Sequence, residues 1–540
     1  MPTLAEENKK ILRRSLDVIV GMDIPFEEIS SVTASGNYSG SSGVINQAPQ
    51  EPVLMDLSNG GFFNDGLAIP LGDDTGGFVS NINTNLVLSV TLSSASDDDL
   101  IVVGYLGGNL IKWTFSGSGA SRTVTIPANS KRIVVNRVVC GQAFWFDNSS
   151  LVSCNLQLRA VETKVDNPEL QMSEIEIEGY EPNDITDVIG YIGTGYPIYY
   201  TSGYPGDMAP IRKFYLGESI GFEDHIVKIK GYDATYKLDN DCDGLYFEDD
   251  DTTDAYVKIM EVLSNILTNA GVQHELDINP YFYDNGIIGS RGIFIDKQPT
   301  RSIFAYIVNV MRKQPENNTS LWSESFTINY VDAGIPKLWI GRRPDFKTLE
   351  NISKPKVIVD KAIRSISQNA YYSILMGDPS TVETVDADGV AIYETQNPYY
   401  TFTTNRGTIS RLSPYTYKLD ANGSATISGR QILFGGSGSG DYGILPTIVY
   451  SDANLGEDIT LQDWFFNFYI TESTFKYLLK RSNISYEFEY RGDPNLQPRD
   501  YIRADIDGSG TLVDMTIDTI ELKHEGGGTS STIVARKGFI

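Results

Sequence analysis

The sequence is poor in the residues on which most hydrolases and disulfide-bonded proteins depend, with only three cysteines and three histidines in 540 residues. Cys140, Cys154 and Cys242 form an odd and sparse set, so a disulfide framework is not expected and a reducing cytoplasm is the predicted site of synthesis. The histidines form no HExxH motif, and neither a zinc-type cysteine pair nor a GxSxG elbow occurs. We therefore expect no enzyme activity and no organic cofactor.

Long hydrophobic runs are also missing. No stretch reaches the roughly 18 to 20 apolar residues that a membrane-spanning helix needs, so membrane insertion is not expected. Residues 1–16 mix Lys, Arg and Glu with leucines, a pattern that predicts an amphipathic helix rather than a secretory leader.

Basic residues are outnumbered, because Lys and Arg total 43 against 70 Asp and Glu, and the formal net charge is −27. Nucleic-acid affinity comes largely from Lys and Arg that neutralise phosphates, so this composition argues against a surface that grips DNA or RNA. An acidic surface keeps a protein soluble, and it would also suit a wall that DNA passes without specific binding.

The sequence is rich in glycine, tyrosine and short alternating apolar segments. With 41% hydrophobic and 21% charged residues the chain is expected to fold, and 50 Gly and 31 Tyr predict a mainly β, multidomain protein with short helices (β+α). Changes in composition predict five segments: an N-terminal helix and the start of a first domain (1–56), an inserted jelly-roll-like β-sandwich (57–163), a small antiparallel β-barrel (164–253), a helix and hairpin α+β domain (254–354), and a second β-barrel region with a short helix and C-terminal strands (355–540).

The predicted sandwich, 57–163, consists of short alternating runs separated by turn residues, as in carbohydrate-binding modules. It contains Trp113 and Trp145. If these rings are exposed, they offer a flat stacking surface for a sugar ring, and the module becomes adhesive. The alternative is that both rings fill the core.

An acidic stretch, "LDNDCDGLYFEDDD", has the order of a calcium-binding loop. Such loops need oxygen ligands at spaced positions and a glycine at the sharp turn. The Ca²⁺ hypothesis assigns the ligands Asp239, Asp241, Asp243 and Asp250. However, a strand-like "YDATYKL" precedes the loop where an EF-hand has a helix, so a solvated acidic connection is the alternative.

Two helical patterns stand out between the predicted barrels. Residues 252–271 place Leu263, Ile266 and Leu267 on one face and end at Gly271. A second helix is predicted near 300–313, and "SFTINY" with "PKLWIG" after it predicts a β-hairpin. A last short helix is predicted at 472–481. No internal repeat of about 20 to 50 residues is visible.

Three passages in this order resemble a known family. The first is "HIVKIKGYDATYKL", with a Gly-x-Asp-Ala sequence before a helix. The second is "RSIFAYIVNVM", a hairpin, and then "KPKVIVDKAIRSI". The third is "NLQPRDYIRADIDG" with "IELKHEGGGTSSTIVARK", where a Pro-x-Asp turn precedes a strand and a Gly-rich turn precedes the last one. Their order is similar to that of the tail-tip or baseplate hub proteins of tailed bacteriophages and related contractile particles.

The resemblance implies a structural virion protein found in the tail and synthesised in the host cytoplasm. It implies a homotrimer whose small barrels form a ring around a channel, through which DNA passes without specific binding. Its implied partners are the tail tube or distal tail protein on one side and tip or spike proteins on the other. Two alternatives stay open: a carbohydrate-binding tail adhesin that uses the sandwich to bind a host surface glycan, and a glycan-degrading enzyme.

Overall fold

In the computed structural model of this chain, the described residues are 16–38, 41–47, 53–54, 78–80, 85–106, 109–127, 133–160, 162–163, 168–169, 172–204, 207–209, 212–239, 241–242, 245–248, 259–277, 292–295, 298–301, 304, 326–331, 337–342, 347–360, 363–369, 373–376, 380–394, 400–413, 416–435, 447–451, 457–460, 483–491 and 493–538. Nearly all of the strands that they form pair in antiparallel fashion, so the predicted mainly β class is confirmed.

The N-terminal part of the described chain contains eleven strands. Their bounds are β1 (Asp17–Glu27), β2 (Ile29–Tyr38), β3 (Ser41–Gln47), β4 (Val53–Leu54), β5 (Phe78–Ser80), β6 (Leu86–Ser96), β7 (Leu100–Leu106), β8 (Asn109–Phe115), β9 (Gly119–Ile126), β10 (Ile133–Phe146) and β11 (Leu151–Arg159). Strands β2, β3, β6 and β9 form one four-stranded sheet in the order β3-β2-β6-β9. Strands β7, β8 and the first half of β10 belong to the largest sheet of the molecule.

These two sheets face each other across one apolar core, so a β-sandwich is present. Alternate residues of β6 are buried, as expected for a strand with one face on a core. Val32, Leu88 and Val124 from the four-stranded sheet pack in the same cluster as Val102 and Val138 from the other sheet. The sandwich therefore takes strands from both sides of residue 57.

Strand β10 is longer than the sequence pattern predicts. The predicted sandwich consists of short runs separated by turn residues, but Ile133–Phe146 is one continuous strand through Gly141. Its first half pairs with β7 in the sandwich, and its second half pairs with β1. At Gly141 the φ is +146° and an added Cβ would lie 2.2 Å from the Ile24 carbonyl oxygen, so the glycine permits a bulge without ending the strand.

A curved group of strands follows the sandwich. The bounds are β12 (Glu162–Thr163), β13 (Pro168–Glu169), β14 (Glu174–Tyr180), the helix Thr186–Ile189, β15 (Pro197–Tyr204), β16 (Asp207–Met208), β17 (Arg212–Leu216), β18 (Gly221–Glu223) and β19 (Ile226–Tyr232). After β19 the chain forms a 3-10 helix, Ala234–Asp239, where the sequence pattern predicts more strand. That expectation was wrong, because Asp233 bonds to Thr235 and turns the backbone out of the sheet.

The middle of the chain contains short sheets and one longer helix. The bounds are β20 (Asp241–Cys242), β21 (Leu245–Glu248), the helix Ile259–Asn269, β22 (His274–Asp277), β23 (Gly292–Ile295), β24 (Gln298–Pro299), β25 (Phe326–Val331) and β26 (Lys337–Arg342). The helix buries Leu263, Ile266 and Leu267 and is followed by Gly271 at φ +68°, as predicted. Strands β25 and β26 pair as the predicted hairpin.

The remaining strands form the C-terminal region. The bounds are β27 (Lys347–Leu349), β28 (Ser353–Val359), β29 (Ile363–Asn369), β30 (Ser373–Met376), β31 (Ser380–Glu394), β32 (Tyr400–Thr404), β33 (Thr408–Ser413), β34 (Thr416–Gly435), β35 (Thr447–Ser451), β36 (Glu457–Thr460), β37 (Ile484–Glu489), β38 (Tyr501–Asp505), β39 (Leu512–Glu525) and β40 (Gly528–Lys537). Among the described strands, β30 to β34 pair only with one another, around a small core that includes Tyr417, Leu419 and Ile427.

The predicted small barrels are open sheets in the part of the chain that the structure describes. The reason is visible in the pairing. Strand β11, which would have to close the first group on itself, instead pairs on its outer side with β39 of the C-terminal region. Both groups consequently share one large core that contains Ile177, Phe214, Phe488 and Ile533.

Some expected elements fall outside the described residues: the N-terminal helix, nearly all of the helix near 300–313, and the helix at 472–481. Within the described ranges, no helix combines the length and hydrophobicity needed to cross a membrane.

Candidate functional site

Two groups of five strands repeat the same pairing and together form the candidate assembly surface. In the first group the order across the sheet is β11-β14-β19-β17-β15. In the second group the order is β28-β37-β40-β39-β38. The strands also follow the same order along the chain. We call these groups unit one (β11, β14, β15, β17 and β19, with the short strand β18 that pairs with β19) and unit two (β28, β37 to β40).

The hairpins that close the two units have the same turn geometry. In unit one, Asp224 and His225 have φ of 50° and 63° between the paired Glu223 and Ile226. In unit two, Gly526 and Gly527 have φ of 56° and 81° at the equivalent place. Two central residues with positive φ are the geometry of a two-residue hairpin turn whose twist matches that of the strands. The repeat therefore includes the hairpin.

The two units join through strand edges. Strand β11 of unit one pairs with the second half of β39 of unit two, from Ser153 opposite Glu525 to Arg159 opposite Thr519. The ladder continues at both ends, since the Ala160 N–H donates to the Asp518 carbonyl at 2.8 Å. Within the chain, the edge strand β11 of unit one thus pairs with β39, the outer strand of the β39–β40 hairpin of unit two.

The Gly-x-Asp-Ala sequence, one carrier of the family resemblance, is a structural element of unit one. Gly231 has no room for a side chain, because an added Cβ would lie 2.5 Å from the Ile198 Cδ1. The buried Asp233 carboxylate accepts hydrogen bonds from the backbone N–H of Ser173 and Thr235, both at 2.9 Å, and from the Thr235 hydroxyl. Burial raises the pKa of Asp233, and these hydrogen bonds oppose the rise. Asp233 thus fixes the end of β19 to the start of β14.

The Pro-x-Asp turn, another carrier of the family resemblance, is a structural element of unit two, and it also contacts unit one. Asp500 is fully buried and accepts the Gln497 backbone N–H at 3.0 Å, with Lys347 Nζ at 3.6 Å from its carboxylate. The Gln497 side-chain carbonyl in turn accepts a hydrogen bond at 3.0 Å from Arg212 of β17. The turn therefore connects the two units through a side-chain hydrogen bond.

Trp145, one of the two predicted sugar-stacking residues, lies in the core between the sandwich and unit one. Its side chain is 2% exposed and stacks on Tyr199, with ring centroids 6.4 Å apart. The indole N–H donates to the fully buried Asp23 carboxylate at 2.7 Å. The exposure on which the glycan hypothesis depends is absent at Trp145. Trp113 is half-buried against the sandwich core.

Polar contacts also fix the sandwich to unit one. Lys112 of β8 forms an ion pair with Glu181, which is fully buried just after β14. Glu181 also accepts a hydrogen bond from the Asn183 side chain at 2.8 Å. Next to this pair, the Leu110 N–H donates to the Asp147 carboxylate at 3.2 Å. A buried charge is costly unless it is paired, so these contacts hold the sandwich in one orientation.

The Ca²⁺ hypothesis stays a prediction. Asp239 ends the 3-10 helix, and its carboxylate is paired with the Arg301 guanidinium. The side chains of Asp241, Asp243 and Asp250 lie outside the described residues. Within the described ranges, no group of three or more His, Cys, Asp or Glu side chains is arranged to hold a metal ion.

One strand of unit two is exposed on both faces. Strand β28 pairs only with β37 among the described strands, and six of its seven residues are exposed. Val357 and Val359 are 56% and 67% exposed. Its counterpart in unit one, β11, has buried alternate residues and a strand on each side. Among the described strands, β11 therefore has a partner on its outer edge and the equivalent strand β28 does not.

Sequence reasoning missed the repeat and its joining strands. The units share strand pairing and backbone geometry, but the residue types at equivalent places differ, as Asp224-His225 and Gly526-Gly527 illustrate. The available signal was the pair of two-residue turns, each flanked by alternating strands, one at the start of the first family-like passage and one within the third.

No family model matches the chain, and no curated protein matches it. Among solved structures, the chain is similar to a 43 kDa tail protein of prophage MuSo2 from Shewanella oneidensis, with 9% identity, a TM-score of 0.40, and coverage of 81% of this chain and 98% of that one. It is similar to a tail protein from Neisseria meningitidis, with 8% identity, a TM-score of 0.38, and coverage of 81% and 96%. It is also similar to an E. coli component of the type VI secretion system, with 6% identity, a TM-score of 0.35, and coverage of 72% and 74%.

Proposed function

We propose that this chain is a structural protein of a bacteriophage virion tail, a tail or baseplate hub that acts by assembly rather than by catalysis. In this proposal three copies form a ring around the DNA channel. The ring joins the tail tube or distal tail protein to the tip or spike proteins.

The observation that carries the proposal is the doubled unit. Each chain brings two five-stranded units that are already joined edge to edge through β11 and β39. Three copies bring six such units, and repeating the same kind of joint between copies would close a ring of quasi-equivalent units. The family-like passages support the proposal because they form the parts that build the units, including Asp233 and Asp500.

The charge of the chain fits a channel wall. With a net charge of −27, the surface lacks the excess of Lys and Arg that retains nucleic acid. DNA would pass such a wall without specific binding. We expect no retardation of double-stranded DNA by the purified protein at physiological salt.

The mass of the purified chain in solution tests the ring. We expect light scattering coupled to size exclusion to give three times the 59.7 kDa chain mass, and electron microscopy of the same peak to show a threefold ring with a central opening. A species of two or four copies, or a particle without an opening, would refute the proposed ring.

A further inference from the structure

We propose that the exposed edge of β28 pairs with the outer hairpin of unit one, β18, in a second copy of this chain. The inference rests on the ring proposed above and names the strands that close it. The contact between β11 and β39 has an equivalent, β28 with β18, that the described strands of one chain do not form with each other. Strand β28 occupies the place of β11, and β18 occupies the place of the second half of β39.

The hydrogen-bonding groups of β28 are available on its outer side. The Asp360 N–H donates to the Asn483 carbonyl at 2.8 Å, and bonded pairs alternate along an antiparallel ladder. Lys356 and Ile358 therefore bond to β37, opposite Glu487 and Ser485. Val357 and Val359 consequently direct their backbone N–H and C=O groups away from β37.

The same alternation of hydrogen-bonding groups is present in β11, which makes the equivalent contact with β39. In β11, Ala160 bonds to Asp518, so the alternate residues Leu158 and Leu156 also face β39. Strand β28 thus presents outward-facing groups in the same pattern that β11 uses inside the chain.

The proposed partner edge is equally available. In β18, Glu223 and Ile226 flank a two-residue turn and form a bonded pair, so the N–H and C=O of Phe222 point away from β19. Strand β18 pairs only with β19 among the described strands. In the equivalent hairpin of unit two, His524 lies at this position and pairs with Cys154 of β11.

Charge favours this pairing over a contact between two β28 strands. Strand β28 carries Lys354 and Lys356, whose side chains are 77% and 65% exposed and form ion pairs with Glu489 and Glu487 of β37. The β18 edge carries the exposed Glu223, and the nearby Glu218 pairs with Lys230. Two copies of β28 would bring these lysines next to each other, whereas β28 against β18 would bring them next to Glu223. Pro355 offers no N–H, and together with the lysines it limits non-specific pairing of this edge.

Two proline variants test the contact, because each removes an outward N–H without removing a bond to the neighbouring strand. Val357→Pro blocks the β28 edge, and Phe222→Pro blocks the β18 edge. We expect each variant alone to be monomeric at concentrations where the unmodified chain is assembled, with the dissociation constant raised at least about tenfold. The matched control Val357→Thr keeps the N–H and should assemble normally.

Mixing the two variants gives the decisive measurement. Each retains the edge that the other lacks, so an equimolar mixture should form a one-to-one dimer and nothing larger. Circular dichroism and urea unfolding of each variant establish that it is folded.

If the folded Val357→Pro chain assembles like the unmodified chain, the inferred strand contact is overturned and the ring proposal stands. If the unmodified chain forms an assembly without threefold symmetry that Val357→Pro abolishes, the strand contact stands and the ring proposal falls. A chain that stays monomeric at all concentrations overturns both.

Discussion

Two carboxylates of this protein, one buried and one exposed, act as hydrogen-bond acceptors that fix turns. Asp233 and Asp184 show this with the same local motif, in which an Asp accepts the N–H and the hydroxyl of the Thr two residues later. The difference is burial, since Asp233 is 7% exposed and Asp184 is exposed. Only at Asp233 does the loss of the carboxylate leave donors without access to water.

We predict that Asp233→Ala lowers the free energy of unfolding by about 2 to 4 kcal/mol, because the backbone N–H groups of Ser173 and Thr235 lose their acceptor inside the protein. Asp184→Ala, the matched exposed control, should lower it by less than about 1 kcal/mol. Urea unfolding followed by circular dichroism measures both. Equal effects of the two substitutions would show that burial does not decide the role of this motif.

The same motif illustrates what could be predicted at single residues. The Gly-x-Asp-Ala passage was recognised, but the role of Asp233 depends on Ser173, sixty residues away. Likewise the position of Trp145 depends on Asp23, which precedes it by 122 residues. Local patterns show that a residue is apolar or acidic, but they do not show which distant group it will meet.

A buried histidine at the joint between the units makes stability depend on pH. His524 is 1% exposed, its Nδ1 lies 3.0 Å from the Thr529 hydroxyl, and its Nε2 has no hydrogen-bond partner among the described residues. Burial lowers the pKa of His524, because the charged imidazolium loses its hydration. The unfolded chain, with a histidine pKa of about 6.5, therefore binds a proton more readily than the folded chain.

We predict that the contribution of His524 to stability is complete above the unfolded pKa of about 6.5 and is lost as the pH falls below it toward the lower folded pKa. The difference in unfolding free energy between the unmodified chain and His524→Gln should be constant above neutral pH and should shift in favour of the variant on acidification. Other titrating groups cancel in this difference. A difference that does not change with pH would contradict the prediction.

At the scale of elements, the sandwich is held to unit one by a buried ion pair. Glu181 is fully buried and Lys112 is its charged partner, so removal of either side chain alone leaves an uncompensated charge or a broken contact. Replacement of both by neutral groups of similar size avoids that penalty.

We predict that Lys112→Met lowers the free energy of unfolding by about 3 kcal/mol, because the Glu181 carboxylate stays buried without its cation. The double variant Lys112→Met, Glu181→Gln should recover most of that loss. Thermal or urea unfolding of the two single variants and the double variant forms the measurement. Additive losses in the double variant would show that the pair contributes nothing as a pair.

Elements were predicted better than their connections. The alternation of β6 and the helical periodicity around Leu263 depend on near neighbours in sequence, and both elements are present. The continuity of β10 through Gly141 and the repeat of the two units depend on pairing across more than a hundred residues. Glycine at a bulge and glycine at a turn look alike in a sequence, because both exploit the same backbone freedom.

At the scale of the whole molecule, the sandwich and the β30 to β34 sheet are attached in opposite ways. The sandwich is connected to unit one through β10, which pairs with β1 from Val20 opposite Phe146 to Glu27 opposite Cys140, and β1 in turn pairs with β15 of unit one. The β30 to β34 sheet has its own core, and its first and last strands pair so that Ser373 lies opposite Gly435. The ends of that sheet are adjacent, and a short linker can join them.

We predict that a chain lacking residues 373–435, closed by a short Gly-Ser linker, keeps the fold of both units. A chain lacking residues 57–163 should fail to fold, because the deletion removes β10 and also β11, which joins unit one to unit two. Soluble yield and the cooperativity of thermal unfolding distinguish the two deletions. A soluble, cooperatively unfolding 57–163 deletion would show that the sandwich is an insertion on an independent scaffold. The predicted outcome instead means that the sandwich and the joint between the units fold together. The reason is that β10, which begins in the sandwich, is followed directly by β11, which joins the units.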